Sequence, residues 1–305
     1  MSGVATLTRT LTLGSRGSAL ALWQANYVAG RLREMSIETR IEIIKTVGDH
    51  LQTASLVQAG GKGLFTKEIE QALLDRSIDI AVHSLKDLPT EITPGLAIAA
   101  VPLREDPRDA LVGCTLKELE HGARVGTSSS RRAAQLRHLR PDVRIEPVRG
   151  NVDTRLRKLK EGQFDAIILA AAGLKRLGFE SEIAEMLSPD QVCPAPGQGA
   201  LGIQTRANDL AEEICKKLND DDSRLAVETE RAILAGLGGG CQLPVGAFAE
   251  RNDQRWEVTG VVISPDGSRV LREKAIDEAS PLSTVDLLVR RLIESGATEI
   301  LAQSL

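Results

Sequence analysis

The sequence has few of the residues on which several classes of protein depend. Only seven of its 305 residues are aromatic, which argues against a nucleic-acid binder that stacks bases on interleaved aromatic rings. The cysteines form no CxxC pair, and no histidine stands near them at metal-ligand spacing; they are Cys114, Cys193, Cys215 and Cys241. Neither a disulfide framework nor a zinc site is expected, and a reducing compartment fits best.

Long apolar runs are also missing. No stretch approaches the roughly 18–20 uninterrupted apolar residues that cross a bilayer, and residues 1–10 lack a cationic segment followed by an apolar one. We therefore expect an unexported protein without a membrane partner, located in the cytoplasm, or in a plastid stroma after removal of a transit peptide. The hydrophobic content of 42% and the charged content of 26% exclude disorder and predict one large core or two to three modest ones.

The charge is unevenly distributed. The net charge of −4 gives no general attraction to nucleic acid or anionic membranes. Residues 124–160, however, hold nine arginines and two lysines against three acidic residues, a net charge of +8 that leaves −12 for the rest. Guanidinium groups suit bidentate binding of carboxylate or phosphate. This basic window favours an anionic small ligand, with a solvated basic helix face as the alternative.

Strand-like and helix-like segments alternate through the first two thirds of the chain. The patterns predict strands at 6–13, 39–47, 78–82, 96–101, 124–126, 143–148, 164–170 and 200–205, and helices at 18–35, 66–76, 127–139 and 153–161. Such alternation predicts mostly parallel sheets with helices on their faces, in two similar α/β units. After about Asp220, a helix at 223–237, strands at 245–250, 255–263 and 269–276, and a terminal helix from about Thr284 predict a separate α+β domain.

Two loop-like segments, 102–108 and 193–199, divide the α/β part. We expect the chain to leave the first unit, build the second and return. The predicted domains are 1–102 with 196–218, then 103–195, then 219–305.

Two glycine-rich segments resemble nucleotide-binding loops only superficially. The segment from Gly60 to Thr66 has Gly63 after its lysine, where a phosphate loop requires Ser or Thr. The cluster at 236–240 follows a helix rather than a strand, so it is not a dinucleotide fingerprint but a helix end running into a loop.

Three other segments combine polar groups where ligands are expected. His83, Ser84, Lys86 and Asp87 follow an apolar strand, and ligands bind at the carboxyl ends of parallel strands; a simple turn is the alternative. The segment 125–132 is a strand, a hydroxyl-rich turn and a helix start with two arginines, which together suit an anion. The segment 149–155 repeats this arrangement, so a ligand with several carboxylates or phosphates is expected.

Cys241 differs from the other cysteines. It follows three glycines and lies outside any periodic apolar pattern, so its sulfur is uncrowded and a covalent role is open to it. For Cys114, Cys193 and Cys215 we expect buried, inert thiols.

Taken together, these segments resemble the porphobilinogen deaminase (hydroxymethylbilane synthase) family. The match is collinear over nearly the whole chain. It runs from LGSRGSALALWQ at Leu13 through GGKGLFTKE, AVHSLKDLPT, VGTSSSRRAAQL, RGNVDTRL, ILAAAGLKRLG and PAPGQGALGI to GGGCQLPVGA.

The resemblance implies a fold and an activity. The fold would be two α/β domains of the periplasmic-binding-protein type facing a cleft, plus a smaller α+β domain that carries the cysteine. The enzyme would be a transferase of porphyrin and haem biosynthesis, and we expect a monomer. It would add four porphobilinogen molecules head to tail to a covalent dipyrromethane, release ammonia at each addition, and free hydroxymethylbilane with water.

Roles for individual residues follow from the same resemblance. Asp87 matches the catalytic aspartate, and Cys241 matches the cysteine that holds dipyrromethane by a thioether. The remaining cofactor-binding residues would be Lys86, Asp87, Ser129, Arg131 and Arg132. The substrate-binding residues would be Arg16, Ser18, Arg149, Arg155, Arg176 and Lys62. Many relatives have lysine where this chain has Gln58, so that contact is not carried over.

The reaction itself explains why these residue types are needed. Loss of ammonia leaves an electron-poor azafulvenium, and positive charge develops on the pyrrole nitrogen. A carboxylate about 4 Å away, at an effective dielectric constant of about 20, stabilises this charge by roughly 4 kcal/mol, or about a thousandfold in rate. Each porphobilinogen also carries an acetate and a propionate, which require cations.

Two other functions remain as alternatives. A two-lobed binding protein could capture an anionic small molecule without catalysis, although the lack of an export signal and the third domain argue against it. A nucleic-acid binder would use the basic window, but it lacks interleaved aromatics.

Overall fold

The computed structural model describes residues 10–46, 66–240 and 243–303. The chain separates into two compact units. The first comprises Met1–Pro102 and Leu201–Asp220, and the second comprises Leu103–Ala200 and Asp221–Leu305. The chain thus leaves the first unit after Pro102 and returns to it at Leu201. The division into three domains, with the boundaries given above, stays a prediction.

A five-stranded sheet forms the centre of the first unit. Its elements are β1 (Leu11–Ser15), α1 (Ala19–Glu34), β2 (Thr39–Ile43), α2 (Lys67–Leu74), β3 (Ile80–Ser84), β4 (Leu96–Ala100), β10 (Leu201–Arg206) and α6 (Leu210–Cys215). The spatial order is β2-β1-β3-β10-β4. β1 is parallel to β2 and β3, whereas β10 is antiparallel to β3 and β4. The strand that returns from the second unit therefore lies inside this sheet.

Helices cover both faces of this sheet, and alternate side chains of its strands pack against the helices on opposite faces. Ile80 and Val82 belong to a core formed with α1 and α6, whereas Ala81 packs with Ile69 and Leu73 of α2. This is the period of two expected of a strand that is covered on both sides.

The second unit contains a five-stranded sheet of the same plan. Its elements are β5 (Asp109–Val112), β6 (Arg124–Gly126), α3 (Ser130–Leu139), β7 (Arg144–Glu146), α4 (Val152–Lys160), β8 (Ala166–Ala170), α5 (Ala171–Arg176) and β9 (Ile183–Leu187). The order β7-β6-β8-β5-β9 repeats that of the first sheet, with β5 as the antiparallel strand. β6 is parallel to β7 and β8.

A smaller antiparallel sheet completes the second unit. It consists of β11 (Val245–Asn252), β12 (Arg255–Ile263) and β13 (Val270–Asp277), in that order. The helices α7 (Asp221–Gly236), α8 (Val285–Glu294) and α9 (Ala297–Ala302) contribute to its core, which includes Ile233, Val258, Leu288 and Ile300. The predicted class, two similar α/β sheets with a smaller α+β part, is confirmed.

Several predicted elements differ from those in the structure. The helix expected from Thr127 begins at Ser130, because Ser129 is its N-cap. The strand expected at 78–82 lies at Ile80–Ser84. β5, β9, α5 and α6 were not predicted. The segments 1–9, 47 and 60–65, which carry parts of other predictions, lie outside the described residues.

Candidate active site

Asp87 lies on a short turn directly after β3. Residues Leu85–Asp87 form one 3₁₀ turn, in which Leu85 is buried, Lys86 is half-buried and Asp87 is exposed. Leu88 is buried on the other side of the turn. Because the two leucines anchor the turn in the core, the carboxylate of Asp87 is presented on a fixed backbone.

The residues before this turn are held by side-chain hydrogen bonds. Nε2 of Gln24 donates to Oγ of Ser84 at 2.8 Å. Nε2 of His83 lies 3.0 Å from Oε1 of Gln204, and Nε2 of Gln204 donates to Oε1 of Glu70 at 2.9 Å. Since the Gln204 amide directs its NH2 to a carboxylate, its oxygen faces His83, whose Nε2 must carry the proton.

Burial keeps the His83 imidazole neutral. Removal of the ring from water, opposed by the hydrogen bond to Gln204 and aided by the positive charge of Arg16, lowers the pKa of His83 from 6.5 to about 4. A buried charged imidazole would be costly. The imidazole that the sequence placed among the candidate groups therefore belongs to the interior of the sheet.

Arg16 and Ser18 lie at the same edge of the first sheet as Asp87. They follow β1, which is the parallel neighbour of β3, so the carboxyl ends of the two strands meet. Ser18 is the N-cap of α1, and its Oγ accepts a hydrogen bond from the backbone N–H of Ala21 at 3.3 Å. Arg16 is half-buried. With Lys86, which lies on the same turn as Asp87, the first unit thus brings together four of the predicted site residues.

In the second unit, the turn before α3 has the hydroxyl arrangement that the sequence indicated. Ser129 caps α3 by accepting a hydrogen bond from the backbone N–H of Arg132 at 3.4 Å. Oγ of Ser128 donates to the carbonyl of Val148 at 2.8 Å. This contact joins the first predicted anion-binding turn to the strand end that leads into the second.

Arg131 and Arg132, which the sequence predicts to bind carboxylates, are buried and already pair with a carboxylate of the protein. Their side chains are 5% and 8% exposed, and both contact Asp109, whose side chain is fully buried. Burial would raise the pKa of Asp109, but the guanidinium groups of Arg131 and Arg132 hold it at about 2. Sequence reasoning missed Asp109, although two adjacent arginines at a helix start are a signal for such a partner.

Arg155 has a different environment. It is half-buried, and its Nε donates to the carbonyl of Gly150 at 2.8 Å. Burial, together with the positive charge of Arg132, lowers the pKa of Arg155 to about 10. Among the residues that the structure describes, no carboxylate lies within ion-pair distance of its guanidinium. A positive charge beside a second one, without an acid of its own, favours an anionic ligand.

The remaining predicted residues are less tightly grouped. Arg149 is exposed, and its carbonyl accepts a hydrogen bond from Nζ of Lys158. NH2 of Arg176 donates to the carbonyl of Gly199 at 2.6 Å. Lys62 and Cys241 lie outside the described residues.

Much of the basic window serves the fold. Besides the two contacts to Asp109, ion pairs join Arg124 to Asp165, Arg140 to Asp142, Arg157 to Glu161 and Lys160 to Glu182. The charge of +8 therefore overstates the positive charge available to a ligand.

The other cysteines largely match the expectation. Cys193 and Cys215 are buried, and burial raises the pKa of both thiols to about 12. Cys114 is partly exposed instead, and it lies two residues after the last residue of β5. In the described ranges no group of acidic, histidine or cysteine side chains could hold a metal ion, and no helix there has the length and apolarity to cross a membrane.

Comparison with known proteins gives consistent matches. Residues 11–214 match the family model described as porphobilinogen deaminase, dipyrromethane cofactor binding domain, and residues 224–288 match the porphobilinogen deaminase C-terminal domain. The porphobilinogen deaminase of Brevibacillus brevis is 49% identical over 304 residues, which cover 96% of this chain and 97% of that protein. The one from Thermus thermophilus is 50% identical over 303 residues, covering 97% and 99%.

Among solved structures, a periplasmic substrate-binding protein of an ABC transporter from Coxiella burnetii is 13% identical, with a TM-score of 0.44 and coverage of 68% of this chain and 91% of that one.

The two family models together span most of the sequence, and the relatives match it almost from end to end. The chain therefore belongs to the porphobilinogen deaminase family.

Proposed function

We propose that this protein is a hydroxymethylbilane synthase, a transferase that joins four porphobilinogen molecules head to tail and releases ammonia at each step. The observation that carries the proposal is the half-buried guanidinium of Arg155, which stands beside Arg132 without an acidic partner in the described part of the chain. Porphobilinogen carries an acetate and a propionate, which are the anions that such a site requires.

Neighbouring residues fit dipyrromethane, the cofactor named by the matching family domain. This group also carries acetate and propionate side chains, and Arg131, Arg132 and Ser129 offer cations and a hydroxyl to hold them. When bound, dipyrromethane supplies the pyrrole carbon to which the first substrate is joined. We propose that Cys241 holds it by a thioether and that Lys86 and Asp87 contribute to its binding.

Asp87 supplies the electrostatic part of catalysis in this proposal. Positive charge develops on the substrate pyrrole nitrogen as ammonia leaves, and a carboxylate on a fixed turn stabilises that charge without having to reorganise. The anchoring of the turn by Leu85 and Leu88 meets this requirement. An exposed position leaves Asp87 accessible to a proton donor or acceptor on the substrate.

The other predicted residues bind substrate carboxylates in this proposal; they are Arg16, Ser18, Arg149, Arg155, Arg176 and Lys62. A monomer in the cytoplasm, with no nucleic-acid or membrane partner, remains our expectation. A binding protein without catalysis is supported only by likeness of fold and would release no ammonia.

Intact-protein mass spectrometry tests the cofactor. The native mass should exceed the sequence mass by one dipyrromethane, and Cys241→Ser should abolish the excess. Cys114→Ser, which replaces a partly exposed thiol elsewhere in the chain, is the control and should retain the excess. An active preparation whose mass equals that of the bare chain would overturn the attachment.

A further inference from the structure

Asp109 is a buried carboxylate that contacts two buried guanidinium groups of the second unit. It begins β5, and its relative exposure is 0%. Oδ1 lies 2.9 Å from Nε and 2.7 Å from NH2 of Arg132, and it accepts a hydrogen bond from Nε2 of Gln198 at 2.9 Å. Oδ2 lies 2.8 Å from NH2 of Arg131. One carboxylate therefore serves two guanidinium groups, and the three side chains together keep a net charge of +1.

The two arginines are held to different degrees. Arg132 makes contacts through all three of its nitrogens, since NH2 also donates to Oε1 of Gln198 at 3.2 Å and NH1 to the carbonyl of Ile168 at 3.5 Å. Arg131 donates through NH1 to the carbonyl of Cys193, and its NH2 pairs with Oδ2 of Asp109 at 2.8 Å.

A count of hydrogen-bond donors shows which arginine has more N–H groups left for a ligand. A guanidinium has five N–H groups. In the described residues, acceptors face two of those on Arg131 but four of those on Arg132. Arg131 therefore keeps most of its donors for another anion, whereas Arg132 contributes mainly charge and position.

We propose that Asp109 is a positioning residue for carboxylate binding: it holds Arg131 and Arg132 side by side, neutralises one of their two charges, and leaves Arg131 with more donors for the ligand than Arg132. This inference rests on the proposed role of the pair in holding dipyrromethane. Without Asp109, two guanidinium groups would share a buried site with no acid between them, and their repulsion would move the donors of Arg131 away from the ligand.

The first experiment compares Asp109→Asn with Asp165→Asn in the full chain. Asp165 also pairs with an arginine of the second unit, but that pair is exposed, so Asp165→Asn should behave as wild type. Asp109→Asn should lower the fraction of chains that carry the dipyrromethane mass. In the loaded fraction it should raise KM for porphobilinogen by about tenfold, the loss of one charge-assisted hydrogen bond, with a smaller effect on kcat. A folded Asp109→Asn protein with unchanged loading and unchanged KM would overturn the proposal.

The second experiment does not depend on activity and covers a variant that folds poorly. Asp109→Ala removes the carboxylate and leaves space for formate, a small carboxylate that can take its place. Formate should raise the thermal unfolding midpoint of Asp109→Ala by at least about 2 °C relative to chloride at equal ionic strength, with no such difference for wild type or Asp165→Asn. Equal effects of formate and chloride on Asp109→Ala would overturn the role of Asp109.

The two proposals fail in different ways. If the wild-type chain never carries the dipyrromethane mass, the proposed cofactor is wrong, but the formate experiment still decides whether Asp109 holds the arginine pair.

Discussion

The imidazole of His83 and the amide of Gln204 meet between two neighbouring strands of the first sheet, with Nε2 of His83 3.0 Å from Oε1 of Gln204. They lie on β3 and on the antiparallel return strand β10. This contact ties the strand that precedes the Asp87 turn to a segment more than a hundred residues further along the chain.

His83 should make stability depend on pH. Its pKa is about 4 in the folded protein, against 6.5 ordinarily, so the unfolded chain takes up a proton at a higher pH than the folded chain does. The contribution is complete above pH 6.5 and is lost as the pH falls to 4, by roughly 3 kcal/mol over the whole window. Urea unfolding of wild type and His83→Gln between pH 7 and 4 measures this loss. The variant should have a flatter profile, and His121→Gln, which changes an exposed histidine, should keep the wild-type slope.

Gly202 should be sensitive to an added methyl group. It pairs with His83 in the sheet, and a Cβ on Gly202 would lie 2.8 Å from Cδ1 of Leu85 and 3.3 Å from Cδ1 of Leu88. Gly202→Ala must push the anchors of the Asp87 turn outward, so we expect a loss of about 1–3 kcal/mol in stability together with a lower kcat. Gly30→Ala, in the middle of α1 with no atom within 4 Å of the new Cβ, should be neutral or slightly stabilising. Unchanged kcat in Gly202→Ala would show that the turn tolerates displacement.

Substitution of Arg155 should weaken substrate binding without lowering the stability of the protein. Arg155→Gln removes a half-buried cation whose charge is disfavoured by burial and by the charge of Arg132, so the thermal unfolding midpoint should stay level or rise. KM for porphobilinogen should rise by about tenfold or more, because an ion pair with a substrate carboxylate is lost. Arg157→Gln is the control, since its side chain is 69% exposed and pairs only weakly with Glu161. A KM for Arg155→Gln equal to that of wild type would remove Arg155 from the binding site.

Asp87→Asn tests electrostatic stabilisation directly. The amide keeps the size of the side chain but loses the charge, so kcat should fall by about a thousandfold while the cofactor mass is retained. Glu91→Gln, an exposed acid a few residues further on, should leave the rate unchanged. Stopped-time assays of ammonia release measure both variants, and near-normal turnover by Asp87→Asn would contradict the role of Asp87.

The sequence predicts the general plan of the fold well because most strands and helices carry a clear period. Strand β12 is predicted with its observed bounds, Arg255–Ile263. Strand β5 is missed because it has only four residues and begins with an aspartate, a residue type that is not expected in a buried strand. Ion pairs with arginine compensate the burial of this aspartate. Helix α5 is missed because it starts directly after β8, and its N-cap residue, Ala170, has no side chain that can cap the helix.

The sequence predicts the arginines of the candidate site but not the residues that pair with them. A glycine- and serine-rich turn followed by arginines can be recognised locally, as at Ser129 and Arg132. The pairing of Arg132 with Asp109 and of His83 with Gln204 joins residues far apart in the chain, and only the order of the strands determines it. Local patterns therefore predict which residue types form a site. Which of its charged and polar side chains pair with one another depends on the topology of the sheet.

The position of β10 within the first sheet also has a consequence for biosynthesis. Its neighbours β3 and β4 emerge from the ribosome more than ninety residues earlier, yet their edges stay unpaired until Leu201–Arg206 has been made. The sheet of the second unit, which needs nothing beyond Leu187, can close first. Of the two five-stranded sheets, the one whose synthesis begins first is thus completed second, and during translation its open strand edges are exposed to mispairing.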